Sequence, residues 1–192
     1  MKRLILCFLF GGLLATTSPL LAQTSAPEPI EYSERVPSEG AGRTELYRRA
    51  LDWTENHFAY GPKTGIKADA GTSSIRLTGT AKMKVAQGNA PASERTLRFD
   101  FVFQSTDNGY VYSVGSFRII PDPKKVEESM PLDEFVTQLA AEKGNDRTHN
   151  DRRTTAMANS LASEIALGFR SYMNSMPSSQ EAAVGLNAAG EN

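Results

Sequence analysis

Apolar residues change their spacing along this chain, and each change marks a new element. Across residues 44–58, Leu46, Tyr47, Ala50, Leu51, Trp53 and Phe58 recur at three- and four-residue steps, which predicts an amphipathic helix. Thr44 is placed to cap it, Glu45 suits its positive end, and Gly61-Pro62 stops it. From Ser74 to Val85 the period falls to two. Ile75, Leu77, Gly79, Ala81, Met83 and Val85 alternate with Arg76, Thr78, Thr80, Lys82 and Lys84. That is a strand with one buried face and one wet face. The small Gly79 and Ala81 would admit a bulky neighbour, and the helix with Trp53 is the expected one. Residues 96–104 alternate again, with Leu97, Phe99, Phe101 and Phe103 against Arg98, Asp100 and Gln104. Asn108-Gly109 then signals a hairpin. In residues 110–120 the faces blur, since Val111, Phe117 and Ile119 oppose Tyr110, Tyr112, Val114 and Ile120. Such a strand is expected to be covered on both sides, or central.

Weaker patterns supply the other elements. Residues 30–36 predict a first strand and residues 66–69 a short one, while residues 86–94 read as a polar hairpin loop. After a charged linker, Leu132, Phe135, Val136 and Leu139 predict a short helix, with Pro131 in its first turn and Gly144-Asn145 at its end. Met157, Leu161, Ile165, Phe169, Tyr172 and Met176 then form the apolar face of a long helix. The sum is an α+β fold: a curved antiparallel sheet of about five strands with helices on one face.

The start of the chain changes the picture most. Met1-Lys2-Arg3 is basic, residues 4–15 are apolar but short for a membrane span, and residues 16–22 are more polar. Residues 1–22 therefore read as a secretory signal peptide, followed by a flexible leader at 23–29, one α+β domain at 30–176 and a disordered tail at 177–192. The expected location is periplasmic or secreted. Cys7 lies inside the apolar run, so cleavage leaves no cysteine and excludes disulfides, thiol nucleophiles and Cys-ligated zinc. Losing Lys2 and Arg3 takes the basic count from 21 to 19 against 22 acids, a balance that argues against nucleic acid as a partner.

Candidate chemistry is sparse. His57 and His149 form no metal-ligating pattern, and the expectation is no metal and no cofactor. Gly61-Pro62-Lys63-Thr64-Gly65 has the wrong spacing for a phosphate loop and reads as a turn. Asp100 sits mid-strand among aromatics, and pairing with Arg76 or Lys82 is the favoured reading. Arg76, Lys82, Lys84 and Arg98 form a basic row that reads as the wet side of the sheet.

The succession strand, helix, four strands and helices, with Leu46-Tyr47, Trp53, Ile75 to Gly79, Arg98 to Phe103, Asn108-Gly109-Tyr110 and Phe117-Arg118, resembles an uncharacterised family of exported, Bacteroidetes-type proteins. That family is a domain of unknown function with a TBP-like fold, and the likeness covers about residues 30–121. It implies a fold and an envelope address, and it brings no catalytic residues. "TBP-like" describes shape and does not imply DNA binding. The resulting expectation is a non-enzymatic binding or structural module of the cell envelope, with no membrane span after cleavage and an envelope protein or a small apolar ligand as partner. One alternative is a carrier whose pocket between sheet and last helix is lined by Phe99, Phe101, Leu161 and Ile165. The least favoured is a hydrolase built on His57 or Asp100.

Overall fold

The computed structural model describes residues 29–38, 40–85, 93–122, 125 and 128–175. The expected signal peptide at 1–22, the expected leader up to residue 28, most of the 86–94 loop, Met176 and the expected tail at 177–192 lie outside the described residues. Strand β1 (Tyr32–Pro37) leads to α1 (Arg43–Asp52), which continues as a π-helical segment at Trp53–His57. Strands β2 (Thr64–Asp69), β3 (Ser74–Val85), β4 (Ser93–Thr106) and β5 (Gly109–Ile120) follow. A two-residue β6 (Met130–Pro131), α2 (Leu132–Ala141), α3 (Asn145–Thr148) and α4 (Asn150–Ser175) complete the described elements. The sheet runs β1-β5-β4-β3-β2, with β6 added to β5, and every pairing is antiparallel. This is the α+β architecture that the alternation of Ser74–Val85 and of the phenylalanine strand predicts.

The blurred faces of β5 have a specific cause. Across β4, Arg98 faces Arg118 but Asp100 faces Gly115, so β5 carries one extra residue within that step. Ser116 there takes a φ of 52°. The bulge reverses side-chain parity. Tyr110, Tyr112 and Val114 before it, and Phe117 and Ile119 after it, are therefore all buried. The strand is central, between β1 and β4, but its irregular pattern comes from the bulge and not from cover on two sides.

The helix ends differ from the expected ones. Gly42, not Thr44, occupies the N-cap of α1, and Leu46 N–H donates to Gly42 O at 3.1 Å. Gly42 has φ 58°, which a glycine adopts without strain. In α4 the buried stripe is Thr154, Ala158, Ala162, Ile165, Ala166, Phe169 and Met173. Met157, expected in the core, is 38% exposed. Leu161 and Tyr172 are only half-buried. The alanines let α4 approach α2 and the sheet closely, and the larger aliphatics flank that contact.

Phe169 is the centre of the interior. Its ring lies 4.9 Å from Trp53, 5.1 Å from Phe101, 5.8 Å from Phe103, 5.9 Å from Tyr110 and 4.9 Å from Tyr112, centroid to centroid. All five contacts are edge-on, the arrangement the ring quadrupole favours. Trp53 is buried as expected, but it is Phe58 that uses the space over Gly79. A Cβ on Gly79 would lie 2.8 Å from the Phe58 ring and 2.7 Å from Phe99.

Candidate functional site

The side chains that carry charge beneath the helices tie elements together. Glu34 of β1 accepts from Tyr112 Oη at 2.7 Å and from Tyr32 Oη at 3.2 Å, and it pairs with Arg170 of α4. The Tyr112 bond leads in holding its carboxyl below the usual range, and partial burial opposes it. Glu45 accepts from Arg48 at 2.8 Å and from Arg49 at 3.0 Å. Its carboxyl is lowered to about 2, first by the Arg48 bond. Arg49 is buried and also donates to Met173 O at 3.3 Å, which joins α1 to the end of α4. These are fastening contacts: Arg49 makes its part from a buried position, while Arg48 and Arg170 reach theirs from the surface.

His57 and Asp100 occupy separate places. Asp100 Oδ2 accepts from Arg76 at 2.6 Å and Oδ1 accepts from Thr78 at 2.8 Å, so its carboxylate is held across β3 and β4. The Arg76 pairing expected from the sequence is present. His57 stacks on Tyr172 with centroids 4.6 Å apart and lies 3.7 Å from Asp52, beyond hydrogen-bond reach. The Tyr172 hydroxyl donates to that same Asp52 carboxylate. His149 is exposed between α3 and α4. Among the described residues no three His, Cys, Asp or Glu side chains gather as a metal would require, and no helix is long and apolar enough to cross a membrane.

Of the four expected pocket residues, Phe99 and Phe101 are fully buried and Ile165 is 1% exposed. They belong to the closed interior around Phe169. Leu161 lies elsewhere, on the wall of an open groove of about 690 Å³. The groove forms because β2 leaves β3 early. Their pairing ends at Thr64 opposite Thr78, so among the described residues no strand flanks β3 on that side beyond Thr78. The chain from Ala59 to Pro62 crosses this open edge, and Thr80 Oγ1 donates to Pro62 O at 3.3 Å.

The groove has two kinds of wall. Tyr60, Pro62, Ala81, Ile120 and Leu161 supply apolar surface. Thr64, Thr80, Thr96, Lys82 and Arg98 supply hydroxyls and positive charge from the polar side of the sheet, and Glu164 enters from α4. Tyr60 Oη donates to Glu164 at 2.8 Å, and burial leads in raising the Tyr60 phenol. Lys82 lies 3.2 Å from Glu94, and Arg98 donates to Thr64 Oγ1 at 3.1 Å. The sequence marks Leu161 alone of these walls as a ligand residue. Tyr60, Pro62 and Ile120 come from a turn, a turn and a strand end, and no periodicity unites them. Glu164 had one signal: it lies three residues after Leu161, on the same helical face.

Comparison with known proteins agrees with the fold. Residues 32–119 match the model of a domain of unknown function (DUF4468) with TBP-like fold. The resemblance read from residues 30–121 is borne out. A DUF4468 family protein from Bacteroides ovatus is similar at 12% identity and a TM-score of 0.49, covering 82% of this chain and 94% of its own. A TBP-like protein from Parabacteroides distasonis is similar at 11% identity and a TM-score of 0.49, covering 76% and 97%. No curated protein matches the chain. The family description names a fold and no activity, so no catalytic or binding role transfers.

Proposed function

We propose that this protein is an exported, non-enzymatic binding module of the cell envelope, and that its site is the groove beside β3. One observation carries the reading. The interior between sheet and α4 is filled by Phe99, Phe101, Ile165 and Phe169, whereas the β3 edge leaves about 690 Å³ open against apolar walls. That volume lies in the range of small-molecule sites, which combine apolar lining with a few polar groups. Binding is favoured over catalysis because Asp100 is held by Arg76 and Thr78, and His57 has no hydrogen-bonded carboxylate. Export rests on the basic and apolar start of the sequence.

The test uses Nile red, a neutral dye that brightens in apolar surroundings. Wild-type protein enhances its emission, and Leu161→Glu loses most of that enhancement while keeping its far-UV circular dichroism. Equal enhancement by both proteins would remove the groove as the site.

A second reading has its own observation. Strand β2 is an edge strand with every residue exposed, and Ile66 on it is 53% exposed. Such an edge can pair with a strand of another protein. Replacing Ile66 by Lys would then abolish partner capture and leave Nile red binding unchanged.

A further inference from the structure

The groove's polar wall holds more positive charge than the fold neutralises. Arg98 and Arg118 stand directly opposite each other on β4 and β5. Like charges placed so destabilise a sheet unless something lies between them. Arg118 is turned to Ser129, whose Oγ and carbonyl it meets at 3.1 and 3.0 Å. Arg98 lines the groove, and among the described residues its hydrogen bond is to a neutral hydroxyl, that of Thr64. Lys82 lines it too, and shares its charge with the half-exposed Glu94. By contrast, Arg76 further along the same face is matched by Asp100 at 2.6 Å. A guanidinium with no acid partner among the described residues thus lines the groove together with three threonines. The one acid of the groove, Glu164, comes from α4 and is engaged by Tyr60.

Resting on the groove being the binding site, we propose that its ligand is an amphipathic anion: an apolar body against Leu161, Pro62 and Ile120, and an anionic head on Arg98. The guanidinium fork suits a carboxylate or phosphate head, which would take two donors at once. The threonines at positions 64, 80 and 96 add hydroxyl donors around it. Arg118, across the strand pair from Arg98 but turned to Ser129, adds a weaker attraction for the anion that salt screens.

Three probes with the same tail separate the contributions: dodecanoate, dodecanol and dodecyltrimethylammonium, titrated below their aggregation thresholds by calorimetry. Dodecanoate binds tightest. Arg98→Gln weakens dodecanoate by about tenfold to a hundredfold, the worth of a charged hydrogen bond, and changes dodecanol by less than about twofold. Arg118→Gln, at an exposed position outside the groove wall, weakens dodecanoate by a smaller factor, and added salt reduces that difference. Equal binding of all three probes would overturn the anion proposal and leave the groove reading standing. Preference for the ammonium would overturn it in favour of Glu164. Binding of none would overturn the groove reading itself.

Discussion

Phe169 and Leu161 lie about two turns apart on the same helix, and the surfaces they meet are of opposite kinds. Phe169 is enclosed by five aromatic rings contributed by the π-helical segment after α1, by β4 and by β5. Leu161 is half-buried and faces a groove that β2 has left open. The first region is closely packed and buried, and of its two tyrosine hydroxyls Tyr112 donates to Glu34 while that of Tyr110 is buried without a partner among the described residues. The second keeps a strand edge unpaired among the described residues, a guanidinium whose hydrogen bond goes to a neutral hydroxyl, and apolar walls in contact with solvent. Dense packing makes a region informative about stability and uninformative about ligands; the open region reverses both.

The largest effect that sharpens the contrast is at its closed pole. Phe169→Ala should cost about 3–5 kcal/mol, because the surrounding rings belong to three elements and cannot all collapse into the void. Denaturant unfolding measures it, and a loss under about 1 kcal/mol would mean that the interior is loosely packed after all. Gly79→Val ranks next. Its first added atom already lies under 3 Å from both Phe58 and Phe99, so a loss of about 1–3 kcal/mol is expected from overpacking.

These two positions also show what the sequence disclosed. Period-two alternation made β3 and β4 legible residue by residue, because one face of each is wet. The β5 bulge was not legible, since nothing in Gly115-Ser116 alone tells that parity reverses there. Size misled the reading of α4: Met157 and Leu161 looked like core, but small Ala158, Ala162 and Ala166 make the close contact. The groove was legible only at Leu161 and in the basic row. It arises from where two paired strands part, which is a property of register and not of local pattern. The resemblance read over residues 30–121 rested on packing motifs, and the family model matches residues 32–119; packing motifs make a fold legible and leave a site unread.

Acid separates the regions by a smaller amount. Glu34 and Glu45 both have lowered carboxyls in the folded state. Their stabilisation is complete above the ordinary carboxylate range near 4.5 and is lost as pH falls, for Glu45 toward about 2. With Arg48 60% exposed, solvent screening limits the Glu45 share to about 1 kcal/mol. Unfolding midpoints between pH 6 and 2.5 should drop less in Glu45→Gln than in wild type; parallel curves would contradict the assignment. The smallest effects belong to the groove. Leu161→Glu and Arg98→Gln should each shift stability by no more than about 0.5 kcal/mol, since both sites reach solvent. A shift beyond about 2 kcal/mol would place either residue in the core and erase the distinction.

The distinction itself is best tested by amide chemical-shift mapping during a dodecanoate titration of the folded protein. The account predicts that shifts concentrate at Tyr60, Ala81, Thr96 and Leu161, while Phe99, Phe101, Ile165 and Phe169 stay in place. Shifts centred on Phe101, Ile165 and Phe169 would mean that ligand enters between sheet and helix, and would contradict it.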